Sequence, residues 1–230
     1  MMQPAPIAVA LDGPDLSTIV RWAAASSPYV STMKIGLETY LRDGDRAIHE
    51  VRDAAEGRDI FLDLKLHDIP NTVAGAARSI AHLAPEYLTV HASGGVNMVR
   101  AAVDELPNTK VTAVTILTSL DDVQLAAIGI LGPALDAARR LAELAVTAGA
   151  RAIVCSPQEV AAIRAVVPEE IVLVTPGVRP AGADRGDQAR VATPAQARAD
   201  GADLLVIGRP ITAATDPALA ARELQQELVS

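Results

Sequence analysis

The sequence contains a single cysteine, Cys155, in 230 residues, which excludes an internal disulfide and any cysteine-based metal cluster. Set within Ala152-Ile153-Val154-Cys155, it reads as a small core residue. Aromatic residues make up only 2% of the chain, so recognition of a ligand by stacked rings is not expected. No uninterrupted apolar stretch of about 18 residues occurs, which argues against a membrane-spanning helix. Residues 1–12 carry no positive leader and turn acidic before an apolar run long enough for export can form, so a cytoplasmic location is expected. A basic excess is missing as well. Twenty Lys and Arg against 28 Asp and Glu give a net charge of −8, a field that repels nucleic acid and other polyanions. A phosphate-bearing ligand would need a local basic pocket.

Aliphatic residues, by contrast, are abundant. Half of the chain is hydrophobic, mostly Ala, Val, Leu and Ile, a composition suited to close-packed helices laid on aliphatic strands. The length is compatible with one domain over residues 1–230 and a large closed core. Short aliphatic runs near 7–12, 31–37, 60–66, 87–92, 111–117, 152–156, 171–176 and 204–208 are each followed by a stretch with helical spacing. Eight βα units point to an α/β fold, a single-domain (β/α)8 TIM barrel, although counting alone leaves an open sheet possible. Asp121-Asp122 can open a helix, Pro157 can begin one, and Gly149 and Gly201 stand where helices must stop before strands. Pro176, Gly177, Pro180, Gly182 and Gly186 make the segment after the seventh strand the longest irregular stretch, and residues 176–188 form the natural lid.

Active sites of such barrels collect at the C-terminal ends of the strands. Asp12 stands at the end of strand one, Lys34 in strand two, Asp63 and Lys65 in strand three, His91 at the end of strand four, Thr118 after strand five and Gly208-Arg209 after strand eight. Along Phe61-Leu62-Asp63-Leu64-Lys65-Leu66, period-two alternation sends the leucines to one face and Asp63 with Lys65 to the other, towards the barrel interior. Taken alone, such a pair reads as an internal salt bridge, because buried charges must neutralise each other. Lys34, inward-facing by the same alternation in the neighbouring strand, puts a second lysine at the same mouth, and Asp68 follows in the loop. Two cations and two carboxylates suit stabilisation of a carbanion beside an ammonium able to protonate it. His67 falls on the leucine side, which suggests packing or hydrogen bonding; His91 could support the network.

The run Phe61-Leu62-Asp63-Leu64-Lys65-Leu66-His67-Asp68-Ile69-Pro70-Asn71-Thr72 resembles the signature of the orotidine 5′-monophosphate decarboxylase family in its bacterial form. It is joined, in family order across nearly the whole chain, by Ala10-Leu11-Asp12, Lys34-Ile35-Gly36, Leu117-Thr118-Ser119, Thr175-Pro176-Gly177-Val178-Arg179-Pro180 and Ile207-Gly208-Arg209-Pro210-Ile211. The resemblance implies conversion of orotidine 5′-monophosphate to UMP without metal or other cofactor. It implies a charged network of Lys34, Asp63, Lys65 and Asp68, with Lys65 donating a proton to C6 of the pyrimidine and Asp63 near the substrate carboxylate. Asp63 then either repels that carboxylate or holds Lys65 charged and aimed; the first is ground-state destabilisation, a contested framing. The resemblance also implies a homodimer in which Asp68, Ile69 and Thr72 reach into the neighbour's site. Asp12 and Lys34 match residues that bind the ribose hydroxyls, Thr118 one that bonds the pyrimidine edge, and Arg179, Gln188, Gly208 and Arg209 the phosphate grip, Gln188 by spacing alone. The nearest rivals, magnesium-dependent sugar-phosphate barrels of the same superfamily, share the Asp-x-Lys-x-x-Asp strand but carry an acidic metal ligand in strand two. Lys34 stands there instead and would repel magnesium.

Overall fold

The computed structural model describes residues 3–179 and 192–229. Its strands are β1 (Ala5–Ala10), β2 (Val30–Gly36), β3 (Asp59–Leu66), β4 (Tyr87–His91), β5 (Lys110–Val114), β6 (Ala152–Val154), β7 (Val172–Thr175) and β8 (Leu204–Ile207). All pair in parallel in chain order, and β1 also pairs with β8 through Ile7 with Leu205, Ala8 with Val206 and Val9 with Ile207. That last pairing closes the barrel and removes the open-sheet alternative.

Alternation along the strands separates two apolar environments. Ile7 and Val9 of β1 join the large core between strands and helices, whereas Ala8 joins Phe61, Tyr87, Ala152, Val174 and Leu204 in a second cluster. The residues of this second cluster alternate with those facing the helices, as expected of the packed interior of a barrel. Phe61 and Tyr87 are its bulkiest members, with ring centroids 5.3 Å apart. The polar residues Lys34, Asp63 and Thr89 stand one step further along the same inward-facing rows, with Ala10 paired beside Lys34.

Several element boundaries follow the expected local signals. Asp121 caps the helix Asp122–Ala127 in a reciprocal box with Gln124: its carboxylate accepts the Gln124 N–H at 2.8 Å, and the Gln124 side chain accepts the Asp121 N–H at 3.1 Å. Gly149 and Gly201 follow helices Ala134–Thr147 and Pro194–Ala199 with φ of +97° and +106°, a conformation that costs glycine little.

Others do not. Pro157 begins no helix; Val160–Arg164 starts three residues later, because the Glu159 carboxylate first takes the Ser156 N–H at 2.9 Å and holds a turn there. Strand five stops at Val114 and not near 117, since β6, its neighbour, ends at Val154 and offers no further ladder. Asp12 lies beyond β1 proper: Leu11 still donates to the Lys34 carbonyl at 2.9 Å, but its own carbonyl is taken by the Thr39 hydroxyl at 2.8 Å. No described helix is long and apolar enough to cross a membrane.

Candidate active site

Lys34 is 6% exposed, and its ammonium lies 3.1 Å from Asp63 Oδ2 and 3.4 Å from Asp12 Oδ2. A buried ammonium is tolerated only with such partners. Asp12 can approach because β2 ends in Gly36: a Cβ at that position would stand 2.3 Å from Asp12 Oδ1. Gly36 therefore makes room for a carboxylate, a role that strand periodicity does not reveal.

Asp63 reaches the interior by the expected alternation, but Lys65 does not. The β3–β4 ladder pairs Leu62 with Leu88 and next Leu66 with Val90, so residues 63–65 of β3 stand against Thr89 alone. Lys65 occupies this bulge with φ of +51°, a left-handed conformation uncommon for a residue with a side chain. Its ammonium lies 2.7 Å from Asp63 Oδ1. The buried Thr89 hydroxyl accepts the Lys65 backbone N–H at 2.8 Å and donates to the same Asp63 Oδ1 at 3.0 Å. Sequence pattern did not single out Thr89, yet the signal exists: Tyr87, Thr89 and His91 are spaced by two, and a polar residue between two inward positions needs a partner.

Burial alone would raise the Asp63 carboxyl, but the ammonium of Lys34, and then that of Lys65, prevail and hold it at about 2. Burial likewise works against the Lys34 ammonium, and Asp63 and then Asp12 outweigh it, so Lys34 is raised above the usual lysine range. Asp63 is thus anionic and Lys34 cationic at neutral pH. His91 is pushed down, first by burial and then by His67 and Lys65. His67 itself is exposed and is not packed among the leucines; its ring lies 5.3 Å from that of His91.

A cavity of about 250 Å³ brings Asp12, Lys34, Asp63, Lys65 and Thr118 together over an apolar floor that includes Phe61, Val114 and Val154. A second cavity of about 330 Å³ shares Ala10, Asp12, Pro176 and Val206 with the first and adds Arg179, Gly208 and Arg209. The two form one cleft with an ion-pair network at one end and two guanidinium groups at the other. Arg179 is anchored where Val178 bridges Ala192, with its N–H donating to the Ala192 carbonyl at 3.0 Å.

Asp68, Ile69 and Thr72 line neither cavity. All three are exposed, and Asp68 Oδ1 accepts the N–H of its neighbour Ile69 at 2.6 Å. Gln188 and most of the expected lid lie outside the described residues.

Residues 5–224 match the family described as orotidine 5′-phosphate decarboxylase / HUMPS. A protein of Thermobifida fusca named orotidine 5′-phosphate decarboxylase is 66% identical over 224 residues, covering 97% of this chain and 96% of the relative. One of the same name from Anaeromyxobacter dehalogenans is 57% identical over 220 residues, covering 95% and 96%. Among solved structures, orotidine 5′-phosphate decarboxylase from Lactobacillus acidophilus superposes with a TM-score of 0.83 at 34% identity, over 98% of this chain and 99% of that one. Family, fold and order of motifs agree along almost the entire length, and the chain belongs to the orotidine 5′-phosphate decarboxylase / HUMPS family.

Proposed function

We propose that this protein decarboxylates orotidine 5′-monophosphate to UMP in pyrimidine biosynthesis, with residues 1–230 acting as one catalytic barrel. The observation that carries the reading is the alternating chain Asp12–Lys34–Asp63–Lys65 in a cleft whose other end holds Arg179 and Arg209. The C6–carboxylate bond breaks, carbon dioxide leaves, and the electron pair stays on C6. Lys65 then transfers a proton from Nζ to C6, forming the C–H bond of UMP, and is reprotonated from solvent. Asp63 keeps the Lys65 ammonium charged and aimed, and Lys34 offsets the charge of Asp63 from the other side. Asp12 and Lys34 bind the ribose hydroxyls, and Thr118 the pyrimidine edge. Arg179, Gln188, Gly208 and Arg209 grip the phosphate, whose binding energy holds the distant reacting carbon in place. Lys65 supplies both charge and proton, so neither metal nor other cofactor is needed.

The rival reading is the magnesium-dependent sugar-phosphate chemistry of other barrels in the superfamily. Lys34 weighs against it, since its ammonium already occupies the gap between the Asp12 and Asp63 carboxylates where a divalent ion would need them. The test is to add orotidine 5′-monophosphate to the purified protein with a chelator present and to follow the orotate absorbance. Its loss is expected; persistent substrate would overturn the proposal.

Asp68, Ile69 and Thr72 act in a neighbouring subunit's site in a homodimer. Their exposure at the rim, with Ile69 66% accessible, supports burial by a second copy. Co-expressed Lys65→Ala and Asp68→Ala chains test this, because a mixed dimer combines both defects in one site and leaves the other intact. Roughly a quarter of wild-type activity should return, from the half of dimers that are mixed. If Asp68 served its own subunit, none would return.

A further inference from the structure

We propose that Thr89 is a positioning residue for the proton donor. The inference rests on reading Lys65 as that donor. The Thr89 hydroxyl has one proton to give, and it gives it to Asp63 Oδ1 at 3.0 Å while accepting the backbone N–H of Lys65 at 2.8 Å. Asp63 Oδ1 in turn receives the Lys65 ammonium at 2.7 Å. The contacts form a closed ring that starts at the Lys65 backbone, passes through Thr89 and Asp63, and returns to the tip of the same lysine. The backbone end of this long, flexible side chain is therefore bonded to the hydroxyl directly, and its ammonium end is linked to the same hydroxyl through Asp63 Oδ1.

The bulge explains why the ring is needed. Three residues of β3 stand against one of β4, and Lys65 adopts a left-handed conformation that ordinary side chains avoid. Such a conformation persists only where surrounding contacts over-determine it. Thr89 is that single facing residue of β4, and it is fully buried. Without its hydroxyl the Lys65 N–H loses its acceptor at the bulge, and Asp63 loses the donor that fixes which oxygen meets the ammonium. Of the two oxygens, Oδ2 faces Lys34 at 3.1 Å and Oδ1 faces Lys65, so rotation of the carboxylate would change the aim of the donor. Serine can maintain the ring; valine, of nearly the same shape, cannot.

Thr89→Val should lower kcat by about 10²-fold, the scale expected of a misplacement near 1 Å at a reacting group. KM for orotidine 5′-monophosphate and the Kd of UMP should stay within about threefold, because Thr89 touches neither the ribose nor the phosphate side of the cleft. Thr89→Ser should restore most of kcat. A merely structural threonine would lower the melting temperature without this split between kcat and KM and without rescue by serine. Thr89→Ala, which also lacks the hydroxyl but adds no bulk, gives the same comparison should the valine variant fail to fold. Lys65→Ala, measured alongside, separates the two claims. An inactive Lys65→Ala with a fully active Thr89→Val or Thr89→Ala overturns the role of Thr89 alone. A normally active Lys65→Ala overturns the donor assignment beneath it.

Discussion

Lys65→Ala is expected to lower kcat by on the order of 10⁴-fold, the upper range for loss of a positioned general acid, while UMP binds within a few-fold of wild type. The reasoning starts from position. The Lys65 side chain is 31% accessible and faces the cleft, so its removal opens no large void in the core. Asp63 keeps Lys34 as a counter-ion at 3.1 Å, so no buried charge is left alone. Alanine still has a Cβ at φ of +51°, and the backbone cost of the bulge is unchanged. The proposed phosphate and ribose contacts lie with other residues. What disappears is the proposed proton donor, a cleft-facing ammonium that, unlike that of Lys34, is not buried between two carboxylates. Orotate absorbance gives kcat, and calorimetric titration with UMP gives the binding constant. Near-normal turnover would remove Lys65 from the chemistry, whereas loss of both turnover and UMP binding would mean that the lysine is chiefly a binding group.

Asp63→Asn is expected to damage stability and turnover together. The substitution leaves the buried Lys34 ammonium with only Asp12, which is 3.4 Å away and 40% accessible. Breaking a buried pair from one side costs about 3–5 kcal/mol; the remaining Asp12 contact and the amide oxygen of asparagine place the expected loss near ~3 kcal/mol. In a chain of this size that lowers the melting temperature by roughly 6–12 °C. Turnover should fall by at least about 10²-fold, because on the proposed mechanism the group that holds the proton donor is gone.

The pH dependence follows from the same carboxyl. Folded, Asp63 is held at about 2, below the ordinary 3.8. Its contribution to stability is therefore complete above pH ~4 and is lost as pH falls from ~4 towards ~2. The wild-type protein should lose stability over that window more steeply than Asp63→Asn, as read from urea unfolding at a series of pH values. Coincident curves would mean that Asp63 carries no net ionic stabilisation.

Much of this site is present in the order of residues. Asp63 and Lys34 face inward because alternate strand residues face opposite sides, and each lies among apolar neighbours that have somewhere else to pack. Arg179 and Arg209 follow aliphatic runs, at the loop positions where barrel sites gather. The same rule misses how Lys65 enters. A regular strand would deliver it by alternation, whereas here a bulge does so, and whether three residues oppose one is a property of the pair β3–β4, not of either strand. Thr89 and Gly36 escaped notice for a related reason: each acts on a partner from another strand or the loop beyond it, Thr89 by a hydroxyl and Gly36 by the absence of a side chain.

Sequence by itself determined the eight βα units, the inward faces of Asp63 and Lys34 and the family membership, since local periodicity and motif order are written along the chain. The charged strand that stood out first, Asp63 to Asp68, also owes its residue types to sequence alone. Tertiary structure decided the rest. Closure of β8 on β1 brings Arg209 to the same cleft as Asp12, residues that no local pattern connects. Lys34 lies between two carboxylates only because three chain segments meet at the mouth. The bulge at Lys65 meets its hydrogen-bond acceptor in a hydroxyl 24 residues away. Charge type is local, but the distances that make an ammonium a donor or a counter-ion arise only when distant strands are packed side by side.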